Sequence, residues 1–153
     1  MQTFANYCAH GINPLLLGLF IVIPFTPLNA SSNYKKLSGL AVYFAAGIIA
    51  MGFASLLAEL GKLHVVWPGK PWFPSGHQTL ATTIAACIWV IAPNRLRPIL
   101  ILPVLLMSFG VVYLKWHEPI DAAGGIALGI TVTIGLYWVA GRWINRPNAP
   151  SAS

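Results

Sequence analysis

Residues 74–92 read PSGHQTLATTIAACIWVIA, a short polar segment that opens an uncharged and mostly apolar stretch from Gln78 onward. Four other stretches of this kind occupy residues 12–28, 37–60, 98–116 and 120–140. A helix that crosses a bilayer needs about 20 mostly apolar residues, a length that 78–92 reaches only if Ser75 to His77 join its first turn. The runs lack the two-residue alternation of strands. We therefore predict an all-α integral membrane bundle of about five transmembrane helices.

The composition supports a membrane protein rather than a water-soluble one. Of the 153 residues, 57% are hydrophobic and only 8% are charged, whereas soluble domains carry about 25% charged residues. The net charge of +6 is scattered in single and paired cations between apolar runs, which does not predict nucleic-acid binding. We expect one transmembrane domain over residues 1–144, followed by a disordered tail over 145–153 that contains Pro147 and Pro150.

Charges separate the loops into two alternating sets. One set has six cations and no acid: Lys35, Lys36, Arg95, Arg97, Arg142 and Arg146. The other set has three cations and all three acids of the chain: Lys62, Lys70, Lys115, Glu59, Glu118 and Asp121. Because cytoplasmic loops carry the excess of Lys and Arg, the first set is predicted to be cytoplasmic. The second set, with both His77 and His117, is then predicted to face outward.

Two histidines on the predicted outer face lie where apolar stretches begin, in a pattern that suits phosphoryl transfer. A neutral imidazole of His117 can attack phosphorus, and Asp121, four residues later, can accept the other ring N–H and fix the tautomer. His77 can protonate the leaving oxygen. Four further residues are predicted to hold the phosphate through positive charge and through N–H groups at a helix N-terminus: Lys62, Lys70, Ser75 and Gly76. This chemistry requires no metal and no cofactor.

Each of these residues, taken alone, also has a purely structural interpretation. Either histidine could cap a helix or lie at the interface, and we interpret Lys115 as an interfacial anchor beside Trp116. Glu59 and Glu118 are interpreted as solvated loop acids. His10 and His64 are interpreted as interfacial residues, and Cys8 and Cys87 as small apolar filling residues. The joint arrangement of the two histidines, with Asp121 after one of them, favours a functional site.

The two motifs together resemble the type 2 phosphatidic acid phosphatase superfamily over about residues 37–140. The resemblance rests on Pro-Ser-Gly-His at 74–77, on His117 and Asp121, on Tyr113 and Leu114 before that histidine, and on the small-residue run at 122–129. It implies a helical membrane phosphatase in which His117 is the nucleophile, Asp121 its partner and His77 the acid. Its substrate would be a lipid phosphate.

The chain departs from the family pattern at its cations. The family has a lysine, six residues and then Arg-Pro, whereas this chain has Lys62, seven residues and then Lys70 before Pro71. The family arginine six residues before the second motif's histidine is replaced by Val111. Lys115 is close in sequence, but we expect it to point elsewhere on a helix. We count five spans where the family commonly has six.

We therefore expect a lipid phosphatase that releases phosphate from a phosphomonoester or pyrophosphate of a phospholipid or an isoprenyl lipid. The expected location is a bacterial inner membrane, with the site facing the periplasm or the cell exterior. One alternative is a non-catalytic member that binds lipid phosphates or assists a membrane partner. Another is a phosphotransferase that uses the same site with an alcohol acceptor. Neither the particular lipid nor the oligomeric state follows from the sequence.

Overall fold

A computed structural model describes residues 1–29, 37–66 and 69–144. The described residues form an all-helical bundle with no strand. Five α helices follow one another along the chain: α1 (Gln2–Val22), α2 (Leu37–Leu63), α3 (Gly76–Ile91), α4 (Ile101–Tyr113) and α5 (Pro119–Ile144). Short 3₁₀ turns follow α1 at Ile23–Phe25 and precede α4 at Arg97–Leu100. The predicted all-α fold with five helices is confirmed.

Helix length divides the bundle into long and short members. Three helical segments are long and apolar enough to cross a membrane: Gln2–Phe25, Leu37–Leu63 and Pro119–Arg142. The other two, Gly76–Ile91 and Arg97–Tyr113, are apolar but shorter. At 1.5 Å per residue, the 16 residues of α3 extend for about 24 Å, less than the roughly 30 Å of a hydrocarbon core.

The predicted start of the first span at residue 12 is wrong, because α1 begins ten residues earlier at Gln2. Its first half is stabilised by packing rather than by hydrophobicity, since Ala5, Cys8 and Ala9 are all buried on one face. A Cβ added to Gly110 of α4 would lie 2.9 Å from the Ala9 nitrogen and 3.0 Å from the Ala5 oxygen. Helix α4 can therefore lie this close to α1 only because the residues at their contact are small. A hydropathy pattern does not reveal such a contact.

Some predictions fall on residues that the structure does not describe. The cations Lys35, Lys36 and Arg146 lie outside the described residues, as does the tail from residue 145. Cys8 and Cys87, which we predicted to be small apolar filling residues, are both buried, and neither forms a disulfide.

Glycines on α5 allow that helix to lie directly on α3. A Cβ added to Gly125 would lie 2.8 Å from the carbonyl oxygen of Ser75, and one added to Gly129 would lie 2.9 Å from that of Thr79. The Thr79 hydroxyl donates a 2.8 Å hydrogen bond to the Ser75 carbonyl inside α3, and the Thr83 hydroxyl donates one of the same length to Thr79. The polar groups at this interface are thereby paired within their own helix, which leaves room for the glycine backbone.

We predict that Gly125→Ala destabilises the bundle while Gly135→Ala on the same helix does not. The new methyl at 125 would meet backbone atoms that cannot rotate away, whereas a Cβ at Gly135 has nothing within 4 Å. Overpacking of this kind costs about 1–3 kcal/mol, and an unhindered Gly→Ala change in a helix is favourable by roughly 0.5–1 kcal/mol. Thermal unfolding of the two variants in detergent measures the difference. Equal midpoints would contradict the close α3–α5 contact.

Candidate active site

The Pro-Ser-Gly-His segment forms the entrance to α3. Ser75 is its N-cap, with an extended backbone (φ −67°, ψ 116°) and an Oγ that accepts a 3.4 Å hydrogen bond from the Gln78 N–H. Such a cap satisfies one of the N–H groups that the first turn leaves unpaired. Ser75 is completely buried, and its own N–H donates a 2.9 Å bond to the carbonyl of Asp121. The backbones of the two sequence motifs are therefore directly joined.

His117 and Asp121 face each other at the entrance to α5. The His117 Nδ1 lies 3.6 Å from the Asp121 Oδ2, and both side chains are largely buried, with 10% and 4% exposed. That oxygen also accepts a 2.9 Å hydrogen bond from the Glu118 N–H. The His117 Nδ1 and the Asp121 Oδ1 have no hydrogen-bond partner among the described residues. The carboxylate is thus held by the backbone and directed at one nitrogen of the imidazole.

A tight turn between α4 and α5 presents His117. The Lys115 N–H bonds to the Val112 carbonyl, and the Trp116 N–H bonds back to the Val111 carbonyl, which also accepts from His117. This is the Schellman pattern of a helix C-terminus, in which the residue after the cap is left-handed and usually glycine. Here that residue is Lys115, at φ +58°. A non-glycine residue in this conformation costs roughly 1–2 kcal/mol, so a side chain is present where glycine would fit better.

A cavity of about 380 Å³ opens beside His117. Its lining includes Lys70, Lys115, His117 and Asp121, with the Trp72 ring at one side. The expectation that Lys115 points elsewhere is therefore wrong. Helical geometry does not apply to Lys115, because α4 has already ended at Tyr113 and the left-handed residue reverses the chain toward the cavity. Lys70 reaches the same space from the loop that precedes α3.

A second cavity, of about 330 Å³, lies beside the other histidine. It is lined by His77 and Gly76 of α3, by Glu59 and Lys62 of α2, and by Asn13 of α1 among others. A Cβ at Gly76 would lie 3.3 Å from both the Lys62 Nζ and the Glu59 Oε1. The absence of a side chain at Gly76 therefore lets this ion pair approach the N-terminus of α3.

Each of the two predicted phosphate-binding lysines is ion-paired. Lys62 Nζ lies 2.6 Å from Glu59 Oε1, and Lys70 Nζ pairs with Glu118 Oε2. Both glutamates are more than half exposed, as we expected, but Glu59 belongs to helix α2 rather than to a loop, and the sequence did not reveal their partners. The i,i+3 spacing of the first pair on α2 was a usable signal. The second pair joins residues 48 apart and had no local signal.

Ser75 has a different position from the other predicted ligands. The structure brings Lys70 together with His117 and Asp121, and Lys62 and Gly76 together with His77. The Ser75 hydroxyl is instead buried beneath the first turn of α3, where it caps that helix.

The first helix contributes to the site, which the sequence analysis missed. The His10 ring lies edge-on to the Trp116 ring at 5.0 Å, and the His77 ring lies 5.9 Å from the same indole. The Asn13 side-chain nitrogen donates a 3.4 Å hydrogen bond to the His77 carbonyl. Because we expected the first span to begin at residue 12, we interpreted His10 only as an interfacial residue.

The surroundings of His117 favour the neutral imidazole. Burial lowers its pKa below the ordinary value of 6.5, and the nearby positive charge of Lys62 and of a protonated His77 lowers it further. The Asp121 carboxylate acts in the opposite direction and raises the pKa, but the burial effect is the larger one. His117 is therefore unprotonated at neutral pH, with a nitrogen lone pair that can attack an electrophile.

We predict that the His117 imidazole titrates with a midpoint below 6.5 and that Asp121→Asn lowers this midpoint further. The substitution removes the negative charge that favours the protonated ring, so the neutral form becomes still more favourable. Imidazole NMR signals in detergent, assigned by comparison with His117→Gln, measure both titrations. A midpoint that rises in Asp121→Asn would contradict the electrostatic coupling of the pair.

The chain matches the family model of the PAP2 superfamily over residues 17–145, and it therefore belongs to that superfamily. The match includes both motifs and four of the five helices in full. No curated protein and no solved structure matches the chain significantly. Membership of the superfamily, together with the apolar helices, supports an integral membrane protein with a phosphatase-type function.

Proposed function

We propose that this member of the PAP2 superfamily hydrolyses a lipid phosphate, either a phosphomonoester or a pyrophosphate of a phospholipid or an isoprenyl lipid. One observation carries the proposal: the buried Asp121 carboxylate faces the Nδ1 of His117 at 3.6 Å, beside a cavity that a lysine also lines. Such a pair is suited to nucleophilic catalysis, because the carboxylate orients the ring and stabilises the charge that develops on it.

In the first step, the His117 Nε2 attacks phosphorus while Asp121 accepts a hydrogen bond from Nδ1–H. The 3.6 Å separation shortens as the ring gains charge, since catalytic hydrogen bonds are often long before substrate binds. An N–P bond forms, and the P–O bond to the leaving group breaks; the leaving group is the lipid alcohol of a phosphomonoester or the lipid monophosphate of a pyrophosphate. His77 donates a proton to the departing oxygen. In the second step His77 takes a proton from water, the water oxygen attacks phosphorus, and the N–P bond breaks to release phosphate.

Positive charge for the phosphate oxygens comes from Lys70 in the His117 cavity and from Lys62 beside His77. To bind phosphate, each lysine must release its glutamate partner, because Lys62 is paired with Glu59 and Lys70 with Glu118. The N–H groups of the first turn of α3, where Gly76 leaves space, supply further donors. We assign Ser75 a supporting role through its cap and its bond to the Asp121 carbonyl, rather than a direct contact with phosphate.

We further propose that the site faces outward, toward the periplasm or the cell exterior of a bacterium. Lys62, His77, His117 and Asp121 lie at one end of the helices, whereas Arg95, Arg97 and Arg142 belong to the opposite ends. All three acidic residues lie at the end with the histidines, so the excess of positive charge lies at the end with the arginines. The positive-inside rule then assigns the arginine end to the cytoplasm.

This route assigns no step to a metal ion. The nucleophile is a side chain, and lysines and helix N–H groups neutralise the phosphate charge. The chain has only three carboxylates, two of them paired with lysines, whereas a magnesium site usually depends on carboxylate ligands.

A second candidate is a protein that binds lipid phosphates without hydrolysing them, alone or beside a membrane partner. Its support is that Glu59 and Glu118 pair with the two lysines and that Val111 occupies the position of the family arginine. A phosphotransferase differs from the leading proposal only in the acceptor, since an alcohol in place of water would attack the same phosphohistidine.

We predict that His117→Ala abolishes phosphate release from phosphatidic acid or isoprenyl pyrophosphate in detergent, because the nucleophile is removed. His64→Ala should keep the wild-type rate, since His64 is exposed and lines neither cavity. A chelator should leave the wild type active. The assay is inorganic phosphate release by the purified protein.

The covalent step has its own test. Brief incubation with substrate labelled at phosphorus should leave acid-labile label on the wild-type protein and none on His117→Ala. Saturable lipid-phosphate binding without any phosphate release by the wild type would support the non-hydrolytic candidate. Transfer of label to glycerol rather than to water would support the phosphotransferase.

A further inference from the structure

Lys115 is the one lysine near the site that is not ion-paired in the described part of the chain. The protein has only three acidic residues, and each is engaged elsewhere: Glu59 with Lys62, Glu118 with Lys70, and Asp121 with His117. Lys115 is exposed and lines the cavity beside His117.

The left-handed backbone at Lys115 sets where this residue lies, and Val65 has a similar backbone in an equivalent turn at the end of α2. The left-handed residue of a Schellman turn is ordinarily glycine, and nothing in the hydrogen bonding of this turn requires a lysine. The turn directs Lys115 into the cavity that holds His117, two residues later.

The same turn brings a positively charged residue to the cavity, although position 111 is a valine and not an arginine. Val111 is completely buried, so its side chain has no access to the cavity. Its carbonyl, however, accepts the N–H groups of Trp116 and His117, which folds the chain back over the end of α4. A cation four residues later thereby lies at the cavity, whereas a cation at 111 would occupy a buried position.

We propose that Lys115 binds a phosphate oxygen of the substrate at His117 and supplies the positive charge that the family arginine supplies elsewhere. This inference rests on the proposed function in one respect, that the anion bound beside His117 is a phosphate. Because Lys115 has no glutamate to displace, it is the first cation available to an incoming phosphate, and Lys70 follows once Glu118 is released.

Binding of inorganic phosphate, measured by equilibrium dialysis with radiolabelled phosphate in detergent, tests this role without relying on turnover. Lys115→Met removes the charge, and Lys115→Asn removes it in a residue that tolerates the left-handed backbone. Loss of a charged hydrogen bond should weaken binding by about 10-fold or more in both. Lys115→Arg should stay within about 3-fold of the wild type, because a guanidinium also donates to phosphate. Arg95→Met is the control for loss of one positive charge at the opposite end of the bundle.

Two results would overturn the proposal. Phosphate affinity in Lys115→Met and Lys115→Asn within about 2-fold of the wild type would make Lys115 an interfacial anchor. Equal weakening in all three Lys115 variants, with a matching loss of thermal stability, would make position 115 a structural part of the turn.

Phosphate release assayed on the same proteins separates this inference from the proposed function. Lys115-dependent phosphate binding by a wild type that hydrolyses nothing would keep the Lys115 assignment and reject the hydrolase. Normal hydrolysis by Lys115→Met would keep the hydrolase and reject Lys115. A wild type that neither binds phosphate nor releases it would reject both.

Discussion

The candidate site depends on the close approach of two helix entrances. A single backbone hydrogen bond, from the Ser75 N–H to the Asp121 carbonyl, joins the start of α3 to the start of α5. It forms because Gly125 and Gly129 let the two helices lie almost backbone to backbone. The distance between the two motifs is therefore set by main-chain atoms, which vary far less than side chains. The positions of His77 and His117 follow from it.

Patterns that repeat along one helix made much of this arrangement predictable. The apolar runs predicted the number and type of the helices, and the polar segment at 74–77 predicted where α3 begins. The start of α1 was not predictable from hydropathy, because alanines and a cysteine pack there against Gly110 of α4. Small residues gain their stability from a neighbour that the sequence alone does not identify.

Interactions between distant residues were the part that sequence reasoning missed. The Lys70–Glu118 pair joins residues 48 apart, and the Asn13–His77 hydrogen bond joins residues 64 apart. The contribution of His10 requires knowing that α1 begins at Gln2. Lys115 was misjudged for another reason, since we treated the residues before His117 as helix. A Schellman turn that uses lysine instead of glycine gives no local signal. The candidate catalytic residues were therefore predictable as types and spacings, but their electrostatic surroundings were not.

The lengths of the helices also matter for the lipid around the protein. Helices α2 and α5 have 27 and 26 residues, whereas α3 has 16, a difference of about 15–16 Å at a rise of about 1.5 Å per residue. Hydrophobic mismatch of this kind is relieved by thinning of the adjacent bilayer. The leaflet beside α3 and α4 should then dip toward the two cavities. A lipid headgroup would reach His117 by lateral diffusion within the membrane, and its chains would stay in hydrocarbon throughout.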